Sequence, residues 1–400
     1  MWCRRYIVSL NMMPTSSQGR TFFVVFAHFF RGSFGKSPKN HRRITEETAK
    51  KQRRNSLVGT EERAACLGFL PALAACFHKS RQALKNSFSG FSYFCRMIGF
   101  KLTSVKRYFL MQLVQKFSER EAEQLMRILL EDLFGIDQKS QILNPDMTLD
   151  ELQHHALEQA VDRLLTGEPV QYVTGVAEFC DMKLKVNPSV LIPRPETEEL
   201  VQMICTTSLL CHSNVGLREG MESIGDGAKH RPMRIWDIGT GSGCIAIALA
   251  KHFTDAEVVA FDVSEAALET ARRNAIYNKV KVTFVCDDVL HPTSTFFNRP
   301  VDLVVSNPPY VCESEKMSME RNVLDHEPAT ALFVPDDDPL RFYRQILRLA
   351  RKQLNANGLM WFEINEAMDD AMRALCHAEG YFLSEIFNDF AGKARMCKVY

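Results

Sequence analysis

A glycine-rich loop between an apolar strand and an apolar helix constrains this chain of 400 residues more than any other feature. The apolar patterns predict a strand at residues 233–238 and a helix at 244–252. Glycines at alternate positions let the backbone approach a ligand closely, and the first N–H groups of the helix point toward it. The spacing is not that of a dinucleotide fingerprint, and the lack of Lys and Arg in the loop disfavours a triphosphate. The pattern predicts a ligand site formed by Gly239, Thr240, Gly241, Ser242 and Gly243.

Acidic residues follow the next two predicted strands. Asp262 ends the first of them, where a carboxylate can accept hydrogen bonds from both hydroxyls of a ribose. The same residue can instead cap the helix that follows, although Ser264 is also placed to do so. Asp287 and Asp288 follow the third strand, where an acid can accept a hydrogen bond from an exocyclic amine such as that of adenine. These positions predict contacts to a nucleoside.

The fourth strand, at residues 301–305, ends abruptly in a polar and proline-rich motif. Pro308 and Pro309 cannot donate ladder hydrogen bonds, so Asn307 is left at the carboxyl tip of the strand, where open α/β sheets bind ligands. The Asn307 amide oxygen and a backbone carbonyl can accept two hydrogens of a planar –NH2 group, while the ring of Tyr310 packs on its face. We therefore expect the reaction centre here.

Strands continue to alternate with helices to the end of the chain, with a last pair expected at residues 382–387 and 396–399. Such alternation predicts a doubly wound α/β sheet. We assign it to residues 201–400.

A helical segment is expected at residues 106–170. Ser118 caps a first helix that ends at Gly135, and a second helix spans residues 148–165 with Leu152 on its apolar stripe. The segment is too small to carry chemistry alone. Docking of a partner or substrate and simple packing against the next domain both remain open.

Residues 171–200 form the predicted linker between these two parts. Alternating apolar residues at 171–190 indicate a hairpin. Arg194 and Glu196 then flank a rigid Pro-containing turn, either as a solvated cap or as residues that line a cleft and contact substrate. Residues 211–232 are expected to be a flexible loop.

Basic residues are concentrated near the start of the chain. Residues 1–110 contain 20 Lys and Arg against 4 Asp and Glu, and the first acidic residue is Glu46. A basic, hydroxyl-rich and acid-poor segment is typical of a mitochondrial presequence, so we predict a disordered leader at residues 1–105. A leader without a targeting role and an over-long start of translation are the alternatives, and the protein is then expected in the cytoplasm.

The rest of the chain is acidic. Residues 111–400 contain 29 Lys and Arg against 44 Asp and Glu, which argues against broad binding of nucleic acid. No apolar run reaches the length of a membrane span. The 12 cysteines lack metal-site spacing, so no metal is predicted and reduced thiols are expected.

Together these motifs resemble known enzymes. The loop from Asp237 to Gly243, with the following acids, resembles the S-adenosylmethionine site of class I methyltransferases. The Asn307–Tyr310 motif resembles that of enzymes that methylate planar nitrogens. With the segments at 167–172 and 192–198 and the Asp389–Arg395 turn, the chain from about residue 115 resembles the HemK/PrmC family of release factor (glutamine-N5) methyltransferases.

The resemblance implies a helical domain, a β-hairpin linker and a Rossmann-like seven-stranded methyltransferase domain. It implies S-adenosylmethionine as cofactor and the glutamine of the Gly-Gly-Gln motif of a peptide chain release factor as substrate. The implied substrate contacts run from Asn307 to Tyr310. The implied cofactor contacts are Gly239, Thr240, Gly241, Ser242, Gly243, Asp262, Asp288 and Asn307. Asp288 stands where some members have an aromatic residue, and the basic leader suggests the mitochondrial branch.

Two other functions remain open. A DNA adenine or rRNA guanine N-methyltransferase would share the Asn307 motif and the glycine loop, but the acidic residues 111–400 do not suggest a basic target surface. An assembly or ribosome-associated factor that keeps the fold without turnover is disfavoured by the intact glycine loop and Asn307 motif, although decayed enzymes can retain both.

Overall fold

The computed structural model describes residues 100–215 and 231–400 of the protein. All of them belong to one compact unit, Ser92–Tyr400. The predicted leader lies outside the described residues up to residue 99, and so do residues 216–230 of the loop predicted at 211–232. Residues 211–215 of that predicted loop are helical, because the helix that starts at Pro195 continues to Val215. The first helix of the described residues begins at Leu102, before the leader was expected to end. The other domain boundaries stay predictions.

The α-helices of residues 100–215 and 231–400 are 5 to 21 residues long. They are α1 (Leu102–Leu113), α2 (Glu119–Phe134), α3 (Gln138–Leu143), α4 (Glu151–Thr166), α5 (Val170–Thr174), α6 (Pro195–Val215), α7 (Cys244–His252), α8 (Glu265–Tyr277), α9 (Arg321–His326), α10 (Arg341–Gln353) and α11 (Asp369–Ala378).

Helices α1 to α4 form the predicted helical segment around an apolar core. Ser118 caps α2 by accepting a hydrogen bond from the Glu121 N–H, and Gly135 ends it in a left-handed conformation. The start predicted for the second helix was wrong. Asp150 caps α4 at Glu151, because residues 148–149 pair with residues 100–101 as strands β2 and β1. Leu152 lies in the first turn of α4 and is 81% exposed, so it is not part of the apolar stripe.

The hairpin after α5 is shorter than predicted. Its strands are β3 (Val176–Phe179) and β4 (Met182–Lys185), joined by a turn in which Cys180 and Asp181 both have positive φ. Residues 171–174 belong to α5 rather than to a strand. Five residues between Pro169 and the left-handed Gly175 are too few for alternation to separate a helix from a strand.

The rest of the described chain folds around a seven-stranded sheet. Its order is β12–β13–β11–β8–β5–β6–β7, with β13 antiparallel to both of its neighbours and the other strands parallel. The strands are β5 (Arg234–Ile238), β6 (Glu257–Asp262), β7 (Thr283–Cys286), β8 (Val301–Ser306), β11 (Leu354–Glu363), β12 (Ser384–Asn388) and β13 (Ala394–Val399). A separate parallel pair, β9 (Val311–Cys312) and β10 (Phe333–Val334), lies between β8 and α10 in sequence. The doubly wound sheet is thus confirmed.

Both faces of the sheet are covered. Successive side chains of a strand point to opposite faces, and on β5 Ile235 packs in one core cluster while Trp236 packs in the other. The cluster of Ile235 includes residues of α6 and α7, and the cluster of Trp236 includes residues of α10 and α11. Because both faces are buried, only the ends of the strands can form an open site. Within residues 100–215 and 231–400, no helix is both long and apolar enough to span a membrane.

Candidate active site

A cleft lies at the carboxyl ends of β5, β6 and β8. It encloses about 880 Å³ of empty space, open solvent at its mouth included. Two carboxyl ends are joined directly, because the Ser306 hydroxyl donates to the Ile238 carbonyl at 2.6 Å. The predicted site residues that line the cleft are Gly239, Gly241, Asp262, Asp288, Asn307, Pro308 and Pro309.

The glycine loop turns sharply between β5 and α7. Gly239, Gly241 and Gly243 all have positive φ, a conformation that strains other residues. A Cβ on Gly243 would lie 3.0 Å from Ala271 Cβ, so that glycine allows α7 and α8 to pack closely. A Cβ on Gly241 would meet no described atom within 4 Å. Gly241 therefore faces the cleft, whereas Gly243 serves packing.

Asp237 of β5 fixes the glycine loop through hydrogen bonds. Its Oδ2 accepts from the Thr240 hydroxyl at 2.6 Å and from the Ala246 N–H at 3.1 Å, while its buried Oδ1 has no hydrogen-bond partner among the described residues. Burial raises the pKa of Asp237 to about 7, although these hydrogen bonds oppose the rise. Thr240 and Ser242 are buried and act inside the loop rather than in the cleft.

Asp262 connects the loop to the cleft. Its Oδ2 accepts from the Gly241 N–H at 2.8 Å, and its Oδ1 accepts from the Ser264 N–H at 2.9 Å. Ser264 itself caps α8 by accepting from the Ala267 N–H, so the cap does not occupy Asp262. Burial raises the pKa of Asp262, and backbone hydrogen bonds from Ser264, Gly241 and Val263 limit the rise. Each oxygen keeps a second lone pair for a ligand hydroxyl.

The two acids after β7 have different roles. Asp287 accepts from the N–H groups of Thr293 and Ser294 and fixes the following loop. Asp288 accepts from the Leu290 N–H, and its Oδ2 lies 2.9 Å from His291 Nδ1. Burial would raise the pKa of Asp288, but the hydrogen bonds from His291 and Leu290 outweigh it and hold that pKa below its usual range.

The amide of Asn307 is bound into a chain of buried polar groups. Asn307 Nδ2 donates to Thr197 Oγ1 at 3.1 Å, and that hydroxyl donates to Glu363 Oε2 at 2.6 Å. The Tyr310 hydroxyl donates to Glu363 Oε1 at 3.1 Å. Burial raises the pKa of Glu363, against the hydrogen bonds from Thr197 and Tyr310. Tyr310 is directed into this network and does not line the cleft.

Arg194 is engaged by a carboxylate. Its Nη2 bonds Glu327 Oε1 at 2.6 Å, and Glu327 Oε2 accepts from the Ile192 N–H at 3.1 Å. The pair joins the segment before α6 to the short 3-10 helix Ala329–Ala331, part of which lines the cleft. Glu196 is half-buried near the start of α6 and does not line the cleft. A direct substrate contact by Arg194 or Glu196 therefore stays a prediction.

Three site residues were not predicted from sequence: Thr197, Glu327 and Glu363. For Glu363 a signal existed, because it is the only acid of β11, where buried apolar residues surround it. A carboxylate in such a place is rarely left without a partner. Thr197 and Glu327 carry no comparable local pattern.

The cleft fits the predicted cofactor, S-adenosylmethionine. Gly241 leaves its backbone open to the cleft, and Asp262 offers free lone pairs for ribose hydroxyls. Val289 and Phe342 add apolar walls suited to a base, and Asp288 lies beside them in the lining. Among residues 100–215 and 231–400 no group of three or more His, Cys, Asp or Glu is arranged to hold a metal ion.

Comparison with known proteins agrees with this geometry. Residues 109–175 match the PrmC N-terminal domain family, and residues 226–329 match the methyltransferase small domain family. The release factor glutamine methyltransferase of Bacteroides thetaiotaomicron is 39% identical over 295 residues, which cover 74% of this chain and 98% of that protein. The one of Flavobacterium psychrophilum is 39% identical over 298 residues, with the same two coverages. The one of Lactococcus lactis is 38% identical over 244 residues, 61% of this chain and 81% of that protein. The chain therefore belongs to the release factor glutamine methyltransferase family and has its class I methyltransferase fold.

Proposed function

We propose that this protein transfers a methyl group from S-adenosylmethionine to the side-chain amide nitrogen of the glutamine in the Gly-Gly-Gln motif of a peptide chain release factor. The observation that carries this proposal is the fixed amide of Asn307 at the edge of the cleft. Its Nδ2 is bound to Thr197, so its oxygen is left to accept a hydrogen from the substrate –NH2 group. The named activity of the relatives supports the same substrate.

An amide nitrogen is a poor nucleophile because its lone pair is delocalised into the carbonyl group. Bound S-adenosylmethionine would supply an electrophilic methyl group on a sulfonium: its S–CH3 bond would break as the N–CH3 bond forms, S-adenosylhomocysteine would leave, and the methylated nitrogen would lose one proton to solvent. The protein contributes position: Asn307 Oδ1 and the Pro308 carbonyl hold the glutamine –NH2 group by its two hydrogens. Orientation of this kind is worth about 7–11 kcal/mol in well-aligned systems. The same two oxygens also stabilise positive charge that develops on the nitrogen.

Mass spectrometry of the Gly-Gly-Gln peptide, after incubation of a release factor with this protein and S-adenosylmethionine, tests the proposal. We expect one added methyl group on the glutamine and none on a release factor with that glutamine replaced by alanine. Parallel reactions with DNA and rRNA and labelled cofactor test the alternative nucleic-acid activity. Label in nucleic acid but not in the release factor would overturn the proposal, and label in neither would favour a factor without turnover.

We also propose that the protein acts in mitochondria. The support is composition, since residues 1–110 carry 20 Lys and Arg against 4 Asp and Glu. Residues 1–105 fused to a fluorescent protein are expected to direct it to mitochondria. A fusion that stays in the cytoplasm would contradict this localisation.

A further inference from the structure

We propose that Thr197 and Glu363 are positioning residues that decide which end of the Asn307 amide is presented to the substrate. The inference rests on the proposed function and extends it to residues that do not touch the glutamine. Three segments far apart in sequence meet here: the start of α6, the motif after β8 and the end of β11. Thr197 is 2% exposed and Glu363 is 1% exposed, so water cannot replace either hydrogen bond.

The direction of the hydrogen bonds follows from counting protons. When the Glu363 carboxylate is ionised it only accepts hydrogen bonds, and the Thr197 hydroxyl then donates its single proton to Glu363 Oε2, 2.6 Å away. Thr197 then has only lone pairs left for Asn307, and the group that faces it must be the –NH2 end of the amide, at 3.1 Å. The oxygen and nitrogen of an Asn amide are nearly the same size, so shape alone would not select this orientation.

The orientation matters because the substrate nitrogen brings only N–H donors. With the Asn307 oxygen toward the cleft, a donor meets an acceptor. With the amide turned over, two –NH2 groups would face each other and the glutamine would lose a hydrogen bond at the reacting nitrogen. Tyr310 acts on the same network, because its hydroxyl holds Glu363 Oε1 at 3.1 Å. The Tyr343 hydroxyl fixes the backbone carbonyl of Glu363 at 2.8 Å.

Substitution of Thr197 gives the first test. Thr197→Val keeps the shape of the side chain but removes the hydroxyl, so kcat should fall about 10-fold or more. Thr197→Ser keeps the hydroxyl and should restore most of kcat. The Kd of Thr197→Val for S-adenosylmethionine should change by a much smaller factor than kcat. The thermal midpoint of this variant should change little. Equal loss of kcat in the Val and Ser variants would overturn the proposal.

A reversal of polarity gives a sharper test. In Asn307→Asp, two carboxylates compete for the one Thr197 proton, and kcat should fall. Adding Glu363→Gln to that variant supplies an amide at position 363, whose –NH2 group donates to Thr197. The Thr197 hydroxyl can then donate to the new carboxylate at position 307, while the new amide oxygen at position 363 still accepts from Tyr310.

The outcome of this reversal depends on the background. Glu363→Gln should raise kcat when it is added to Asn307→Asp, but it should not raise kcat when it is made in the wild type. The comparison of the four proteins is a double-mutant cycle, so it isolates the coupling between positions 307 and 363. If Glu363→Gln changes kcat by the same factor in both backgrounds, the network does not orient the amide.

A measurement without turnover separates this inference from the proposed substrate. The full chain labelled with 15N-asparagine gives a side-chain –NH2 signal for Asn307, identified by its loss in Asn307→Ala. Hydrogen exchange of that group should accelerate about 10-fold or more in Thr197→Val and stay slow in Thr197→Ser. Unchanged exchange would overturn the inference, even if a release factor is methylated. Failure of the wild type to methylate a release factor would overturn the proposed function alone.

Discussion

The carboxylate of Asp262 accepts a hydrogen bond from the Gly241 N–H at 2.8 Å. Asp262, which is predicted to bind the ribose of the cofactor, thus also fixes the glycine loop by a hydrogen bond. Asp262→Asn keeps the size of the side chain but replaces an acceptor with a donor. We expect the Kd for S-adenosylmethionine to rise about 10- to 100-fold, as for the loss of a charged hydrogen-bond partner. Isothermal titration calorimetry measures it, with the exposed and remote Asp255→Asn as the matched control. Wild-type affinity of Asp262→Asn would contradict the assignment.

Substitution of two glycines of the loop should affect different properties: Gly243→Ala the stability of the fold, and Gly241→Ala the binding of the cofactor. Gly243→Ala places a Cβ 3.0 Å from Ala271 Cβ and should lower the free energy of unfolding by about 1–3 kcal/mol through overpacking, beyond the strain of positive φ. Gly241→Ala meets no described atom, so it should mainly weaken cofactor binding. Urea unfolding and titration of S-adenosylmethionine measure the two effects. A larger loss of stability in Gly241→Ala than in Gly243→Ala would contradict this division.

Removal of the Asn307 amide should stop methyl transfer. Asn307→Ala deletes an acceptor that faces the developing charge, and we expect kcat to fall about 100-fold or more. Most of the affinity for S-adenosylmethionine should remain, because the glycine loop and Asp262 are unchanged. Labelled methyl transfer to a release factor measures kcat, and the exposed Asn322→Ala is the matched control. Near wild-type transfer by Asn307→Ala would show that another residue holds the substrate nitrogen.

Burial of Asp237 should make the free energy of unfolding depend on pH. Its pKa is raised to about 7 in the folded protein, so the folded state binds the proton more tightly than the unfolded chain. The resulting stabilisation is complete below the pKa of the unfolded chain and is lost as the pH rises through about 7, by about 1.4 kcal/mol per unit of pKa difference. Asp237→Asn cannot titrate. The stability of the wild type relative to Asp237→Asn should therefore be greater at pH 5 than at pH 8 in chemical denaturation. The opposite trend would show that the pKa of Asp237 is lowered.

The ion pair of Arg194 should matter through its partner. The Glu327 side chain is only 1% exposed, so Arg194→Ala leaves a buried carboxylate without its counter-charge. We expect a loss of about 3 kcal/mol in the free energy of unfolding. The double variant Arg194→Met with Glu327→Gln removes both charges and should be more stable than Arg194→Ala. If both variants unfold alike, the pair does not hold this segment.

The sequence predicted the parts of the site that lie within one local pattern. The glycine loop, Asp262 and Asn307 each follow a strand directly, and parallel strands bring those ends together. The groups that orient Asn307 were not predicted, because Thr197 lies 110 residues before it and Glu363 lies 166 residues after Thr197. Local patterns cannot register such contacts. They also misplaced Leu152, since its helix begins later than the apolar spacing indicates.

Helix α6 leads away from the reaction centre. It begins at Pro195, beside the network of Asn307, and runs 21 residues to Val215. At a rise of about 1.5 Å per residue, its far end lies roughly 30 Å from the reacting groups. The sheet begins at Arg234, the amino end of β5, whereas the cleft lies at the carboxyl end. The end of α6 and the start of β5 are thus both remote from the reacting groups. Evolution can therefore change the number of residues that connect them without loss of catalysis.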